Sequence, residues 1–201
     1  MLALVISLIL AYLLGSIPTG FILARVLGKI DIRNAGSGNV GATNVYRTVG
    51  KLPGVITLLI DIAKGAIAAG FLTAYFYKWN IPLEPEPYRI LAAASVISGH
   101  NWTPFLNFKG GKGIATSAGA LAVICPKILG LVVLVWVIIF ALTRIVSIAS
   151  IVASVFFLIL AAFKGNFAFT LFAIILCLIS IFKHRSNIMR LVRGEEKKLT
   201  L

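Results

Sequence analysis

The sequence predicts an all-α fold: a polytopic membrane helix bundle of about seven transmembrane helices, forming a single domain over residues 1–201. The 201-residue chain is 60% hydrophobic and only 12% charged, whereas a soluble domain carries about 25% charged residues. Long apolar runs follow one another along the chain, and most basic residues lie between them. The chain therefore uses lipid as its solvent, and its hydrophobicity excludes a disordered protein.

Seven apolar runs are candidate spans, because a spanning helix needs about 20 mainly apolar residues. The third and fourth runs are short or interrupted by polar residues. They are expected as partial spans whose polar ends line a cavity, which shelters irregular backbone at membrane depth. No basic segment precedes the first run, so it is expected as a transmembrane helix and not a cleavable signal. The runs are 2–27, 54–77, 88–104, 113–126, 128–143, 145–163 and 167–182.

The distribution of basic residues predicts the orientation. With the N-terminus outside and seven crossings, all but four of the 19 Lys and Arg residues fall on the cytoplasmic side, as the positive-inside rule requires. The C-terminus is then cytoplasmic, and so are the polar segments 31–51, 99–113 and 183–198. The four basic residues on the outer side are Lys78, Arg89, Lys127 and Lys164.

The net charge of +13 has the same explanation. In a soluble protein it would suggest nucleic acid, but here topology and the anionic inner leaflet account for it. No nucleic-acid partner is expected. Cys125 and Cys177 lie in apolar runs and predict neither a disulfide nor a metal site.

The first chemical motif is a glycine-rich polar segment, 36–44, between Arg33 and Arg47. Glycines let backbone N–H groups turn toward an anion, and each arginine can grip a phosphate through paired N–H groups. It is not a Walker A loop, because no Gly-Lys-Ser/Thr follows. The segment predicts a phosphate site; the alternative is a flexible loop with two topology-determining arginines. Its small polar residues are Ser37, Asn39, Thr43 and Asn44.

The second motif is the lysine- and glycine-rich segment 109–113, preceded by His100 and Asn101. Lys109 and Lys112 flank bare backbone at the expected N-terminus of the fourth helix, where free N–H groups and the helix dipole attract anions. His100 is interpreted either as a structural residue or as a ligand-facing group or base.

Two further sites lie within or after spans. Asp61 and Lys64 share a helical face and either line a polar cavity or form a buried pair that fixes helix packing, since an unpaired charge at mid-bilayer costs about 3 kcal/mol. After the last span, His184, Asn187 and Arg190 are three residues apart and would stack along one side of a helix. In the first run, Pro18 predicts a kink.

These motifs together resemble the bacterial acyl-phosphate:glycerol-3-phosphate acyltransferases, and the similarity covers essentially the whole chain. The resemblance implies an inner-membrane enzyme with seven spans that moves a fatty acyl group from acyl phosphate to the 1-hydroxyl of glycerol 3-phosphate. The product would be lysophosphatidic acid, in the first step of phospholipid synthesis. No cofactor is implied, neither coenzyme A thioester nor metal. The matching segments are 36–44, 61–65, 99–102, 108–113, 184–188 and 194–196.

Resemblance and chemistry together assign the roles. The 36–44 segment is expected to hold a phosphate, that of glycerol 3-phosphate, and 109–113 the acyl phosphate. Of the two acids after Gly194, Glu196 is chosen over Glu195 by spacing. The residues assigned to catalysis are His100, Ser37 and Lys112. The residues assigned to substrate binding are Arg33, Gly36, Gly38, Asn39, Thr43, Asn44, Arg47, Asp61, Lys64, Asn101, Lys109, Gly110, Gly111, His184, Asn187 and Glu196.

The base is left open between two candidates. Many glycerolipid acyltransferases use a histidine followed five positions later by aspartate, but here His100 is followed at that spacing by Phe105, and His184 by Met189. His100 is the protein candidate, and a substrate phosphate oxygen is the rival. The partners expected are the two substrates, the lipid bilayer and, where present, an upstream enzyme that makes acyl phosphate.

Two other classes of protein are weighed. A transporter for an anionic metabolite would also carry intramembrane polar residues, but transporters usually show an internal repeat, which is not visible here. A purely structural membrane protein would have no need of this density of polar motifs.

Overall fold

The computed structural model describes residues 1–200, and every regular element in that range is helical. The chain divides into two compact units, Met1–Ile124 and Cys125–Leu201. The longer helices of both units follow the apolar runs of the sequence, because a chain in lipid must satisfy its backbone hydrogen bonds internally. Two short helices, Ala42–Thr48 and Arg185–Val192, lie in polar segments.

The first unit contains seven α-helices. A π-helix, Ile67–Leu72, joins the fourth of them to the fifth without a break, and 3₁₀ turns form at Ile32–Asn34 and Pro104–Leu106. The α-helices are α1 (Leu2–Ser16), α2 (Thr19–Leu27), α3 (Ala42–Thr48), α4 (Lys51–Ala66), α5 (Thr73–Tyr77), α6 (Pro85–Asn101) and α7 (Ile114–Ile124).

The first apolar run is broken where its proline predicts a kink. α1 ends at Ser16 and α2 begins at Thr19, because Pro18 has no N–H group and cannot continue the hydrogen-bond ladder. The Ser16 hydroxyl donates to the carbonyl of Tyr12, 2.8 Å away. The unwound residues leave main-chain carbonyls that need other donors.

Glycines set the closest helix contacts of this unit. α1 packs against α6 and α4 against α7. A Cβ on Gly15 would lie 2.0 Å from the carbonyl oxygen of Val96, and one on Gly119 would lie 1.8 Å from that of Ile62. Small residues at such contacts let two backbones approach closely, as is common in membrane helix pairs.

The second unit is simpler. Its helices are α8 (Pro126–Thr143), α9 (Val146–Phe163), α10 (Phe167–Lys183) and α11 (Arg185–Val192). α9 packs against α8 and α10, and α11 is bent by 55° from the axis of α10. Cys125 and Cys177 are both buried.

Within residues 1–200, four helical stretches are long and apolar enough to cross a membrane, and a fifth qualifies if the bent α10–α11 pair counts as one span. α7 is apolar but has only 11 residues, and the 17-residue α6 is more polar than the qualifying helices. These are the two runs expected to be partial spans. The four stretches are Leu2–Leu27, Lys51–Tyr77, Pro126–Thr143 and Val146–Phe163.

Candidate active site

The two glycine-rich segments of the first unit lie at the same end of its helices. Between them is a cluster of apolar side chains, which contacts the 36–44 segment through Val40 and the connection after α6 through Leu106. Val40 also lines a small cavity together with His100. Val40 and Leu106, which are far apart in the sequence, are therefore neighbours in space. The cluster consists of Ala24, Ile32, Val40, Val45 and Leu106.

Asn44 organises the first segment. It is only 3% exposed, its side-chain oxygen accepts from the N–H of Ser37 at 2.9 Å, and its amide nitrogen donates to the carbonyls of Ala35 and Asn39, each at 2.9 Å. Asn39 in turn accepts from the N–H of Gly41 at 2.9 Å. Asn44 thus fixes the loop from within, as a buried amide must if its polar atoms are to be satisfied.

Two glycines are required by the loop's path. Gly36 and Gly38 have φ values of 60° and 71°, in the left-handed region that favours glycine. A Cβ on Gly36 would also lie 2.2 Å from the side-chain oxygen of Asn44. Ser37, between them, is exposed at the surface of the loop.

The two arginines that flank this segment differ in their surroundings. The Arg33 guanidinium makes two bonds to Asp31, of 2.7 and 3.0 Å, and Arg25 makes a third of 3.0 Å. The side-chain hydrogen bond from Arg33 holds the pKa of the Asp31 carboxyl well below its usual range. Arg47 is half-buried in the last turn of α3. Arg33, predicted to bind phosphate, is therefore engaged with a carboxylate.

The second segment folds back over the end of α6. The N–H groups of Gly110 and Gly111 donate to the carbonyls of Asn101 and His100, at 3.2 and 3.0 Å. These are carbonyls that an α-helix leaves unpaired at its C-terminus. Lys109 is exposed and Lys112 half-buried. Two N–H groups that were expected to face an anion thus cap a helix, and the lysine ammonium groups supply the positive charge.

His100 lies beneath this loop. Its side chain is 10% exposed, and a Cβ on Gly111 would lie 2.1 Å from its Nε2 atom. Only glycine at position 111 leaves room for the imidazole. His100 Nδ1 lies 3.8 Å from Oδ1 of Asp61.

Asp61 and Lys64 form the buried pair that the sequence suggested as one of two alternatives. Their Oδ1 and Nζ atoms are 2.9 Å apart, and each side chain is 3% exposed. The Lys64 ammonium also donates to the carbonyl of Ile17, in the break between α1 and α2. Lys64 thereby gives a second donor to a carbonyl in the helix break, which also accepts from the N–H of Thr19 at 3.0 Å.

In the second unit, Glu196 forms hydrogen bonds with two residues of the C-terminal motif and with Ser147. Its carboxylate accepts from Asn187 at 2.6 Å, from Arg190 at 2.7 Å and from Ser147 at 2.9 Å. Burial by itself would raise the pKa of the Glu196 carboxyl, but these hydrogen bonds outweigh it and hold the pKa below its ordinary value. Glu195 is exposed. His184 is 2% exposed, and its Nδ1 lies 2.8 Å from the carbonyl of Ser180.

Several contributors to these clusters were not predicted. They are the carbonyl of Ile17, the hydroxyl of Thr103, which donates to the carbonyl of Ser16 at 2.7 Å, and Ser147. Pro18 could have signalled that nearby carbonyls need donors; nothing local marks the other two. Within residues 1–200, no three His, Cys, Asp or Glu side chains lie together in a way that could hold a metal ion.

Comparisons with known proteins identify the family of this chain. Residues 5–194 match the family model described as glycerol-3-phosphate acyltransferase. The glycerol-3-phosphate acyltransferase of Desulforudis audaxviator is 42% identical over 200 residues, covering 99% of this chain and 97% of that protein. That of Desulforamulus reducens is 43% identical over 196 residues, covering 97% and 94%.

Solved structures agree. The crystal structure of PlsY (YgiH), an integral membrane glycerol 3-phosphate acyltransferase, in its glycerol 3-phosphate form matches with a TM-score of 0.87 and 36% identity, covering 98% of this chain and 96% of that one. The lysophosphatidic acid form matches with a TM-score of 0.84 and 35% identity, covering 98% and 95%.

Fold, polar site and these likenesses define the chain as an integral membrane acyltransferase. More particularly, it belongs to the glycerol-3-phosphate acyltransferase family, as the resemblance of its motifs predicted.

Proposed function

We propose that the protein transfers a fatty acyl group from acyl phosphate to the 1-hydroxyl of glycerol 3-phosphate. The hydroxyl oxygen forms an ester bond with the acyl carbonyl carbon, and the bond from that carbon to the phosphate oxygen breaks. Phosphate leaves with the electron pair, the hydroxyl proton passes to a base, and lysophosphatidic acid remains. The observation that carries this proposal is the convergence of two glycine-rich segments with basic residues beside His100, since both substrates carry phosphate.

The two segments divide the work. Ser37, Arg47 and the 36–44 loop hold the phosphate of glycerol 3-phosphate. Lys109 and Lys112 hold the acyl phosphate and stabilise the charge that develops as phosphate leaves. The lysines carry this second role more than the glycines, because the N–H groups of Gly110 and Gly111 already donate to α6.

His100 is the proposed base, with a substrate phosphate oxygen as the rival. Acyl phosphate is an activated donor, so positioning and charge stabilisation supply much of the rate enhancement. His184, Asn187 and Glu196 stay predicted substrate-binding residues; the contacts within the Glu196 cluster support a shared role for Asn187 and Glu196.

The membrane arrangement follows the distribution of basic residues. We propose a single domain with seven spans, an external N-terminus and a cytoplasmic C-terminus in the bacterial inner membrane, with α6 and α7 as the two short spans. Glycerol 3-phosphate then reaches the site from the cytoplasm. An enzyme that produces acyl phosphate is the expected upstream partner.

The activity is tested with purified protein, acyl phosphate and labelled glycerol 3-phosphate. Labelled lysophosphatidic acid is the expected product. Ser37→Ala, Arg47→Ala and Lys112→Ala should each lower turnover far more than Lys198→Ala, whose side chain is exposed. Equal effects in all four variants would show that the sites are misassigned. Label that crosses vesicles without forming lipid would instead indicate a transporter.

The base is tested separately. His100→Ala should lower kcat by about 100-fold or more if the imidazole accepts the proton, since general base catalysis typically contributes about 10²–10⁴-fold. Activity retained within about tenfold would favour the substrate phosphate as base.

Orientation is tested by cysteine labelling. The two native cysteines are buried and can be replaced by alanine. Single cysteines at the exposed positions Asn34 and Asn107 should react with a membrane-impermeant maleimide only from the cytoplasmic side. Trp79→Cys, in the predicted outer loop, is the matched control for the other side. Opposite labelling of Asn34→Cys and Asn107→Cys would contradict a common site.

A further inference from the structure

The turn between α6 and α7 exposes two aromatic rings within a polar segment. Phe105 and Phe108 are 62% and 60% exposed, although they lie in a part of the chain that the sequence predicts to be cytoplasmic. Leu106, between them, is buried in the apolar cluster that also contains Val40. The turn therefore has one apolar residue packed against the protein and two that face outward. Exposed apolar residues grouped in this way mark a surface that binds a protein or a membrane.

The backbone of this turn has an uncommon conformation. Asn107 and Phe108 have φ values of 51° and 60°, in the left-handed region, which is a genuine outlier for a side chain as bulky as phenylalanine. The N–H of Phe108 donates to the carbonyl of Thr103 at 2.9 Å, and that of Lys109 donates to the carbonyl of Leu106 at 3.0 Å. Such conformations persist where the surrounding structure enforces them, and they cluster at functional sites. Glycine would suit position 108 better, so the ring itself is the feature to explain.

The turn begins beside a membrane span. The Thr103 hydroxyl donates to the carbonyl of Ser16 at 2.7 Å, next to the break inside the apolar stretch Leu2–Leu27. At 1.5 Å per residue, that stretch continues for about 15 Å beyond Ser16. Ile17 in the break and Ile22 after it are exposed apolar residues. The turn is therefore attached, through Thr103, to a helix that lipid surrounds.

The charge next to the rings suits a membrane surface. Lys109 directly follows Phe108 and is exposed. At a lipid interface, aromatic side chains enter the outer part of the hydrocarbon layer, while lysine ammonium groups stay at the level of the headgroup phosphates. Anionic lipid attracts such a lysine further. A bilayer is therefore the partner that fits the two rings, the lysine and the neighbouring span together.

We infer that the turn 104–109 is a membrane anchor, in which Phe105 and Phe108 insert between lipid acyl chains just below the headgroups. The anchor holds the lysine- and glycine-rich segment at the membrane surface. Acyl phosphate has its chain in the bilayer and its phosphate at that surface, so the anchor places Lys109 and Lys112 where this donor presents its phosphate. This last step rests on the proposed function, whereas the insertion itself does not.

Insertion is tested with nitroxide labels in vesicles of phosphatidylethanolamine and phosphatidylglycerol. Single cysteines replace Phe105 or Phe108 in a protein whose two native, buried cysteines are changed to alanine. Oxygen concentrates in the hydrocarbon layer and a nickel chelate stays in water, so the ratio of their relaxation effects reports the depth of the label. The ratio at both positions should approach that of Leu134→Cys, an exposed position in the middle of α8, and exceed that of Asn34→Cys, an exposed polar position.

Two results would overturn the insertion. Ratios equal to that of Asn34→Cys would place the turn in water. Labels shielded from both oxygen and the nickel chelate would show that protein, and not lipid, covers the rings. The two labelled positions are independent of each other, so one variant serves if the other does not fold.

Phe108→Gly separates the effect of the ring from that of the fold. Glycine adopts the left-handed backbone more readily than phenylalanine, so the midpoint of thermal unfolding should not fall. The KM for hexadecanoyl phosphate should rise by about fivefold or more, with a smaller change in kcat, because a loop that is in place only part of the time lowers the apparent affinity in proportion. Phe108→Trp should keep the native KM, since tryptophan also suits the interface. Phe163→Gly, at an exposed helix end, is the matched control and should also keep it.

The outcomes distinguish the anchor from the proposed function. A native KM in Phe108→Gly would refute the role of the anchor in donor binding. A raised KM in Phe108→Trp, equal to that in Phe108→Gly, would count against an interfacial ring. If even the native protein forms no lysophosphatidic acid, the proposed function fails, while the nitroxide labels still decide whether the turn is inserted.

Discussion

Asp61 in the first unit and Glu196 in the second are both buried carboxylates, with side chains 3% and 5% exposed, yet they are neutralised in different ways. Asp61 is paired with a lysine of its own helix, which also satisfies a carbonyl of the broken first run. Glu196 follows α11 and accepts from the side chains of Asn187, Arg190 and Ser147.

The difference shows which parts of the chain each cluster connects. The Asp61 cluster consists of Asp61, Lys64, the Ile17 carbonyl and His100, so a change in one of them should affect the others. The Glu196 cluster ties the chain after α11 to side chains of regular helices, and each donor can be lost separately. Removing one partner of a buried ion pair is strongly destabilising, because the other charge stays buried without compensation. Asp61 accepts from Lys64, whereas Glu196 accepts from three side chains, so the loss of one donor should cost more at Asp61.

The largest expected effect comes from Gly111→Ala, which displaces His100, the histidine beside Asp61. A Cβ there would lie 2.1 Å from His100 Nε2, so the imidazole or the loop must move, and activity should fall by about 100-fold or more. Gly130→Ala, in α8, is the matched control because a Cβ there meets nothing within 4 Å. Equal activity of both variants, measured as kcat, would contradict the proposed packing of His100.

Next in size is Lys64→Met, which leaves Asp61 buried without its counter-charge. Removing one partner of a buried pair typically destabilises a protein by about 3–5 kcal/mol, seen as a lower midpoint of thermal unfolding in detergent. Lys198→Ala, at an exposed position, should leave the midpoint unchanged. If Lys64→Met unfolds at the same midpoint temperature as the native protein, the Asp61–Lys64 pair does not stabilise the break between α1 and α2.

Glu196→Gln should have a smaller effect that depends on pH. Because the folded-state pKa of Glu196 is lowered, ionised Glu196 stabilises the native state above its ordinary pKa of 4.5, and this stabilisation is lost as the pH falls through the folded value. The difference in unfolding midpoint between the native protein and Glu196→Gln should therefore be largest near neutral pH and shrink below about pH 4.5. A constant difference would argue against the lowered pKa.

The smallest effect is expected from Asp31→Asn. Asp31 also has a lowered pKa, but it lies in a loop and its arginine partners are 52% and 39% exposed, where solvent screens ion pairs. The unfolding midpoint should fall less than in Glu196→Gln. Activity is the sharper readout: a gain in affinity for glycerol 3-phosphate, measured as a lower KM, would indicate that Arg33 is released to bind phosphate. An unchanged KM would leave Arg33 with a role in folding the loop.

Much of the fold was open to prediction because lipid imposes strict rules. An apolar run in lipid must pair its own backbone N–H and C=O groups, and a helix does this within one segment. The runs at 2–27, 54–77 and 145–163 are all helical in the structure. Boundaries were less certain: α4 begins at Lys51 and not at 54, so Asp61 lies further along its helix than expected.

The candidate site was predicted only in outline. Glycine, lysine and arginine content marked the 36–44 and 109–113 segments as unusual, but not which groups were already used. Only the folded chain shows that Asn44 holds its own loop, that Arg33 is paired with Asp31, and that Gly110 and Gly111 cap α6. Hydrogen-bond partners that are far apart in sequence leave no local pattern.

By itself the sequence determined the helical membrane fold, the family and the positions of the polar segments, because hydropathy and motif order are properties of the linear chain. The tertiary structure decided which polar atoms meet: Lys64 with Ile17, His100 with Asp61 and Gly111, Glu196 with Ser147. Those contacts depend on helix packing to within about 1 Å, since hydrogen bonds and steric contacts change over that distance, and glycine at the helix crossings makes that packing close.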